Sequence, residues 1–78
     1  MAELMVDEDA KKVLHTLVKF KSMPFLELTS VCDINEKRME DIINHFEKHA
    51  LVKVLNPGDI YETIVTLKEK GFALARSS

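Results

Sequence analysis

Two strand-like runs separated by a tight-turn signal constrain the fold of this 78-residue chain more than any other feature. LVKVL at 51–55 alternates apolar and polar residues, and IYETIVTL at 60–67 is rich in β-branched and aromatic side chains, as strands are. NPGD lies between them. Pro57 suits the first central position of a turn, and Gly58 is expected to take positive φ at the second. The pattern predicts a β-hairpin.

An isolated two-stranded hairpin is unstable in water, so this one has to pack against helices. The first predicted helix runs from Glu8 to Lys21, with Asp7 as its N-cap. A short second helix begins at Pro24, a third begins after the N-cap Asn35, and a last short helix follows the hairpin. The residues expected to meet in one core are Leu14, Leu17, Phe25, Leu28, Met39, Ile42 and Phe46.

The third predicted helix, EKRMEDIINHFEKHA at 36–50, has sharply separated faces. Successive residues rotate by about 100°, which collects apolar and polar side chains on opposite sides. The apolar face holds Met39, Ile42, Ile43, Phe46 and Ala50, and the opposite face holds Lys37, Asp41, Asn44 and Lys48. One flank carries Glu36, Glu40 and Glu47, and the other carries Arg38, His45 and His49. The polar face is the candidate binding surface.

The net charge argues weakly against nucleic acid as a partner, because the chain has 11 basic and 13 acidic residues, a net charge of −2. Four acids and no base lie in the first nine residues, so residues 10–78 carry 11 bases and 9 acids. That remainder is faintly basic, well short of an obvious DNA binder. Residues 1–78 have the size of one small domain, and no apolar run approaches the ~20 residues that span a bilayer. With an acidic N-terminus and a lone Cys32, the sequence predicts a cytoplasmic protein without a membrane partner.

The order helix, helix, turn, helix, strand, strand, helix resembles a winged helix-turn-helix domain, above all in MarR-type and related bacterial and archaeal regulators. SVCDINEKRMEDIINHFEKHALV is similar to the family's helix-turn-helix, VKVLNPGDIYETIVTL to its wing hairpin, and LKEKGFALA to the segment that leaves the wing. The resemblance implies a mainly α fold with a small β-hairpin: a three-helix core, a two-stranded wing and a short C-terminal helix. The helix-turn-helix is expected at about 24–49 and the wing at about 51–67.

The resemblance also implies a transcriptional regulator that binds double-stranded DNA as a dimer, with the third helix in the major groove. The residues expected to contact DNA are Lys37, Arg38, Asp41, Asn44, Lys48 and Lys53. Three departures from the family pattern stand out: Asp33 and Ala50 replace glycines, and residues 55–63 lack the wing's usual arginine or any other base. These missing bases and the acidic flank of the third helix keep an alternative open, a winged-helix protein-interaction module that does not bind DNA.

A second apolar line on the first helix, Val13 and Phe20, has two interpretations. Together with Phe72 it forms a dimer interface, or the terminal helix covers it within the chain through Phe72 and Leu74.

Other chemistry has little support in the sequence. His45 and His49 have the spacing of two metal ligands on a helix, but no complete ligand set accompanies them, and partly buried histidines are the simpler interpretation. There is no Gly-rich phosphate loop and no sign of an activated cysteine. No metal, cofactor or enzymatic activity is predicted.

Overall fold

The computed structural model describes residues 8–77, which form four helices and a three-stranded antiparallel sheet. In chain order the elements are α1 (Glu8–Phe20), β1 (Ser22–Pro24), α2 (Phe25–Cys32), α3 (Glu36–Lys48), β2 (Val52–Leu55), β3 (Ile64–Leu67) and α4 (Glu69–Arg76). The predicted fold class is confirmed. Asp7, the predicted N-cap of α1, lies outside the described residues. None of the helices within residues 8–77 has the length and apolar character needed to cross a bilayer.

One hydrophobic core joins the helices to the inner face of the sheet. All seven residues expected in this core are buried: Leu14, Leu17, Phe25, Leu28, Met39, Ile42 and Phe46. The sheet adds Met23 from β1, Val52 from β2, and Val65 and Leu67 from β3. The core therefore fixes the orientation of α3 relative to the sheet.

Two local structures set the ends of α3. At its start, the Asn35 side-chain oxygen accepts a hydrogen bond of 2.8 Å from the backbone N–H of Arg38, as predicted for an N-cap. Asp33 makes the preceding turn in the left-handed region, at φ 56° and ψ 49°. Past its end, Ala50 takes φ 60°, a conformation that costs a non-glycine residue about 1–2 kcal/mol. Ala50 thus occupies the left-handed position that its place in the family pattern implied.

β1 is an addition to the predicted sheet, because the sequence indicates a helix break before Pro24 and a second helix that begins at Pro24. In the structure Pro24 belongs to β1, and α2 begins one residue later, at Phe25. β1 pairs antiparallel with β3, joining Ser22 to Thr66 and Pro24 to Ile64, so β3 is the central strand in the order β1–β3–β2. Three residues without a strand-like pattern form a strand here because β3 offers a free edge.

The tip of the hairpin differs from the predicted turn. Gly58 does not take positive φ, whereas Asn56 does, at 54°, and β3 begins at Ile64 rather than at Ile60. The Thr63 hydroxyl lies 2.8 Å from the carbonyl oxygen of Asn56 and 2.7 Å from that of Asp59. The single hydroxyl hydrogen can be donated to either carbonyl oxygen, and this contact holds residues 56–63 as a wide turn. The returning strand is correspondingly shorter than predicted.

Gly71 marks a very close approach between α4 and the segment that joins α3 to β2. The carbonyl oxygen of Leu51 already accepts a 2.9 Å hydrogen bond from the N–H of Lys68. A Cβ at position 71 would overlap that oxygen and would lie 2.8 Å from Cδ1 of Leu67. The sequence segment that resembles the exit from a wing thus contains its glycine for a steric reason.

We expect Gly71→Ala to lower the free energy of unfolding by about 1–3 kcal/mol, the usual cost of overpacking. A loss of stability would be the reverse of the usual effect, because in a helix interior alanine is normally favoured over glycine by about 0.5–1 kcal/mol. Gly58→Ala is the matched control, since a Cβ there meets nothing within 4 Å and Gly58 lacks positive φ. Chemical denaturation measures both, and a Gly71→Ala variant as stable as the parent chain would contradict the close approach.

Candidate functional site

The outward face of α3 is the candidate binding surface. Lys37, Asp41, Asn44 and Lys48 are all exposed along it, because Met39, Ile42, Ile43 and Phe46 bury the opposite side of the helix. Residues three and four apart are neighbours on a helix surface, so the four side chains form one continuous row. The row extends over about 16 Å of helix and offers two ammonium groups, one amide and one carboxylate.

Arg38 does not belong to this row. Its guanidinium Nε lies 3.5 Å from Oδ2 of Asp9, at the start of α1, and the two side chains are 41% and 44% exposed. An ion pair with this exposure contributes little to stability, about 0–1 kcal/mol. The contact nevertheless directs the Arg38 side chain toward α1 rather than along the outward face of α3.

A groove of about 190 Å³ separates α3 from the hairpin. Glu40, Asn44 and Glu47 line its α3 side, and apolar residues complete it from the hairpin and the core: Phe25, Ile43, Val54, Pro57 and Ile60. Asn44 therefore stands at the border between the outward face and the groove. The two glutamates make the hairpin-facing flank of α3 negative, which opposes the approach of a phosphate on that side.

The hairpin tip is acidic and carries an exposed aromatic ring. The Asp59 side chain accepts a 3.0 Å hydrogen bond from the N–H of Tyr61, and the Tyr61 side chain is 81% exposed. Glu62 adds a second carboxylate, and no base lies anywhere from residue 55 to residue 63. The tip therefore has no cationic group for a phosphate or for a narrow groove.

Lys53, the sixth predicted contact, lies apart from α3. It is exposed on β2 and pairs with Thr66 on β3. Its neighbours Val52 and Val54 turn toward the core and the groove, so Lys53 projects from the outer face of the sheet.

Several solved structures share this arrangement. NadR in complex with 4-hydroxyphenylacetate matches with a TM-score of 0.81 and 20% identity, over 91% of this chain and 51% of that chain. BpsR of Bordetella bronchiseptica, whose DNA binding is regulated by 6-hydroxynicotinic acid, matches with a TM-score of 0.80 and 21% identity, over 90% and 54%. The MarR family transcriptional regulator SPO1453 of Silicibacter pomeroyi DSS-3 matches with a TM-score of 0.72 and 27% identity, over 86% and 47%. The chain has the winged helix-turn-helix fold.

The resemblance to MarR-type regulators is thereby confirmed in the fold: α2 and α3 form the helix-turn-helix, and β2 and β3 form the wing. This winged helix spans about half the length of each of these three proteins. Neither a family model nor a curated protein sequence matches the chain.

The histidine pair of the winged helix lies at the end of α3. The His45 and His49 rings are 4.7 Å apart between centroids, at an interplanar angle of 67°. Local burial, together with the neighbouring His45, Lys48 and Lys70, lowers the pKa of His49 from its ordinary value of 6.5 and favours the neutral imidazole. The described residues contain no group of three or more potential metal ligands. Cys32 is buried on α2, with its thiol 3.5 Å from the Thr16 hydroxyl, so it does not join the pair.

The structure corrects the predicted dimer surface at one position. Val13 is fully buried, at 0% exposure, inside the winged helix's own core, and α1 packs against both α2 and α4. Phe20 and Phe72 are 55% and 43% exposed. Phe72 lines a hollow of about 400 Å³ together with Val18, Lys21, Leu67 and Glu69. Two of the three predicted residues thus remain at the surface.

Sequence reasoning missed two contacts that position the helix-turn-helix. The Lys12 ammonium donates a 3.3 Å hydrogen bond to the carbonyl oxygen of Cys32, at the last residue of α2, and Asp9 pairs with Arg38. Both tie α1 to the turn region. Their partners lie more than 19 residues away along the chain, so no local pattern indicates them.

Proposed function

We propose that this winged helix binds double-stranded DNA as part of a transcriptional regulator, with α3 in the major groove. The observation that carries the proposal is the exposed row Lys37–Asp41–Asn44–Lys48 on a helix that the core and its N-cap hold in place. A major groove admits such a helix, and a few side chains on its outward face reach base edges. The fold is shared with MarR-type regulators, which are not enzymes. A cytoplasmic location stays a prediction from the sequence.

Each member of the row has a distinct role in this proposal. The Asn44 amide is suited to a bidentate contact with adenine, while Lys37 and Lys48 contact guanine or phosphate. Asp41 opposes binding because its carboxylate faces the anionic duplex. Arg38 reaches phosphate only if its ion pair with Asp9 opens, so we assign it a smaller part than the sequence suggested.

Substitutions along the row test the proposal. Asn44→Ala should reduce the preference at one base pair by about 1–3 kcal/mol, and Asp41→Asn should strengthen binding to all duplexes by removing a carboxylate. Glu8→Gln, an equal change of charge at the exposed start of α1, is the control for Asp41→Asn. Fluorescence anisotropy with labelled duplexes measures both effects. If Asp41→Asn, Asn44→Ala and Lys48→Ala all leave affinity unchanged, α3 does not enter the groove.

The dimer in this proposal uses the surface around Phe20 and Phe72. Exposed large apolar side chains favour a partner surface, and both phenylalanines are more than 40% exposed. Phe72 also lines the hollow described above. Sedimentation of the chain as a monomer at high concentration would remove this part of the proposal.

A protein-interaction module that does not bind DNA is the second candidate. The groove between α3 and the wing favours it, because Glu40 and Glu47 border apolar residues there and the wing adds acids but no base. Binding to random-sequence duplex at low salt discriminates the two candidates, since phosphate contacts are strongest there. The interaction module predicts no measurable binding under those conditions.

A further inference from the structure

The α3 surface is short of positive charge for a DNA interface. Lys37 and Lys48 are its exposed bases, and Arg38 is paired with Asp9. The acids on the flank of α3 and on the wing are Glu36, Glu40, Glu47, Asp59 and Glu62. Contacts from lysine and arginine to phosphate supply most of the sequence-independent affinity for DNA. A duplex-binding domain with this distribution needs a second source of positive charge.

The outer face of the sheet holds such a source. Ser22 and Lys53 both pair with Thr66, from opposite sides, so the three side chains form one row across β1, β3 and β2. Lys68 follows Thr66 by two residues, in extended geometry at φ −95° and ψ 166°, and its N–H continues the ladder to Leu51. Because side chains alternate along a strand, Lys68 emerges on the same face as Thr66.

Lys53 and Lys68 therefore occupy diagonal positions on this face, for which a backbone spacing of about 7–8 Å is typical. Within residues 8–77 neither lysine forms a salt bridge. The other residues on the same face carry no charge: Pro24, Leu55 and Ile64. Like charges on neighbouring positions of one face repel each other, so this arrangement contributes nothing favourable to the fold.

Hydroxyl groups accompany the two ammonium groups. The Ser22 and Thr66 hydroxyl oxygens are 3.0 Å apart and share a hydrogen bond, which leaves acceptors and one hydroxyl hydrogen for an outside partner. Serine, threonine and lysine side chains are typical donors to phosphate oxygens and carry no sequence information themselves. The row thus combines the groups that recognise a phosphodiester backbone.

We propose that this sheet face, made of Ser22, Lys53, Thr66 and Lys68, binds the phosphate backbone of duplex DNA. It supplies the sequence-independent attraction, while α3 supplies the preference among sequences. The inference rests on the proposed function, which it deepens by separating affinity and specificity onto two surfaces. Charge complementarity carries it: the sheet face is positive and free of acids, and the α3–wing groove is bordered by glutamates.

The test is a salt titration in which fluorescence anisotropy measures binding to random-sequence duplex DNA. For the Lys53→Gln/Lys68→Gln variant, the slope of log affinity against log salt should decrease by about 0.9 for each lysine removed. Lys11→Gln/Lys19→Gln is the matched control, because it removes the same charge from α1 and should leave the slope nearly unchanged. Asn44→Ala should alter the preference between duplexes without changing the slope.

The outcomes separate this inference from the proposed function. If the parent chain binds no duplex at low salt, the proposed function fails and the sheet face fails with it. If Asn44→Ala erodes the preference while Lys53→Gln/Lys68→Gln keeps the full slope, only the sheet-face assignment is overturned. An equal decrease of the salt slope in the test variant and in the control variant also overturns it. Such a result would mean that the total charge of the protein, and not the position of the lysines, determines the slope. Loss of binding to phosphatidylserine vesicles with unchanged DNA binding would assign the face to a lipid surface instead.

Discussion

Replacing Phe46 with alanine is expected to lower the free energy of unfolding by about 3–5 kcal/mol. Phe46 is 1% exposed and is among the largest fully buried side chains of the described residues. Its removal from the core-facing side of α3 leaves a cavity that the surrounding helices and β2 can only partly fill. Small domains have total stabilities at the low end of about 5–15 kcal/mol, so much of the variant should be unfolded at 25 °C. Urea denaturation followed by circular dichroism measures the change.

Phe20→Ala provides the matched control, since the same side chain is removed from a position that is 55% exposed. Its effect should stay within about 0.5 kcal/mol, as for most surface substitutions, when measured at low protein concentration. If the Phe46→Ala variant unfolds at the same temperature as the parent chain, the face of α3 that carries Phe46 does not pack in the core.

Introducing glutamate at Val13 should destabilise the domain by about 3–5 kcal/mol, the cost of leaving an uncompensated charge in a core. Val13 has no exposed surface, and its neighbours on α1 are the buried Ala10, Leu14 and Leu17. No described base is buried beside them to pair with the carboxylate. The expected result is loss of the folded state at neutral pH, seen by circular dichroism and by a one-dimensional NMR spectrum.

Phe20→Glu separates packing from dimerisation, because it places the same charge on α1 at an exposed position. This variant should remain folded, and sedimentation should show a monomer if the surface around Phe20 and Phe72 joins two subunits. A folded Val13→Glu variant would contradict the buried position of Val13.

The helices and the hairpin could be predicted because each has a local pattern. The core face of α3 follows from its helical periodicity, and its start follows from Asn35. β1 could not be predicted, because its strand geometry depends on pairing with a distant partner, Thr66. Periodicity along α1 reveals a second apolar line, but not that the chain's own core buries Val13 while Phe20 stays exposed.

The candidate site shows the same division between local and distant information. The outward row of α3 is a property of one helix, so the sequence identifies Asn44 and its neighbours as exposed. Arg38 shares that helix, yet its direction depends on Asp9 in α1. Lys53 and Lys68 lie 15 positions apart, and only the strand register brings them together on one face. The residues on a helix face could be read from spacing, whereas those joined by the sheet could not.

The pairing of β1 with β3 also determines how much this molecule can adapt to a partner. Ser22 and Thr66 are 44 positions apart, so β1 fastens the root of the wing to the junction of the first two helices. Closing so long a segment costs chain entropy, and the shared core offsets that cost only when helices and sheet form together. This pairing restrains the root of the wing and so helps to set the angle between the wing and α3. A DNA duplex that contacts both α3 and the wing then has to fit this angle by its own bending and twisting.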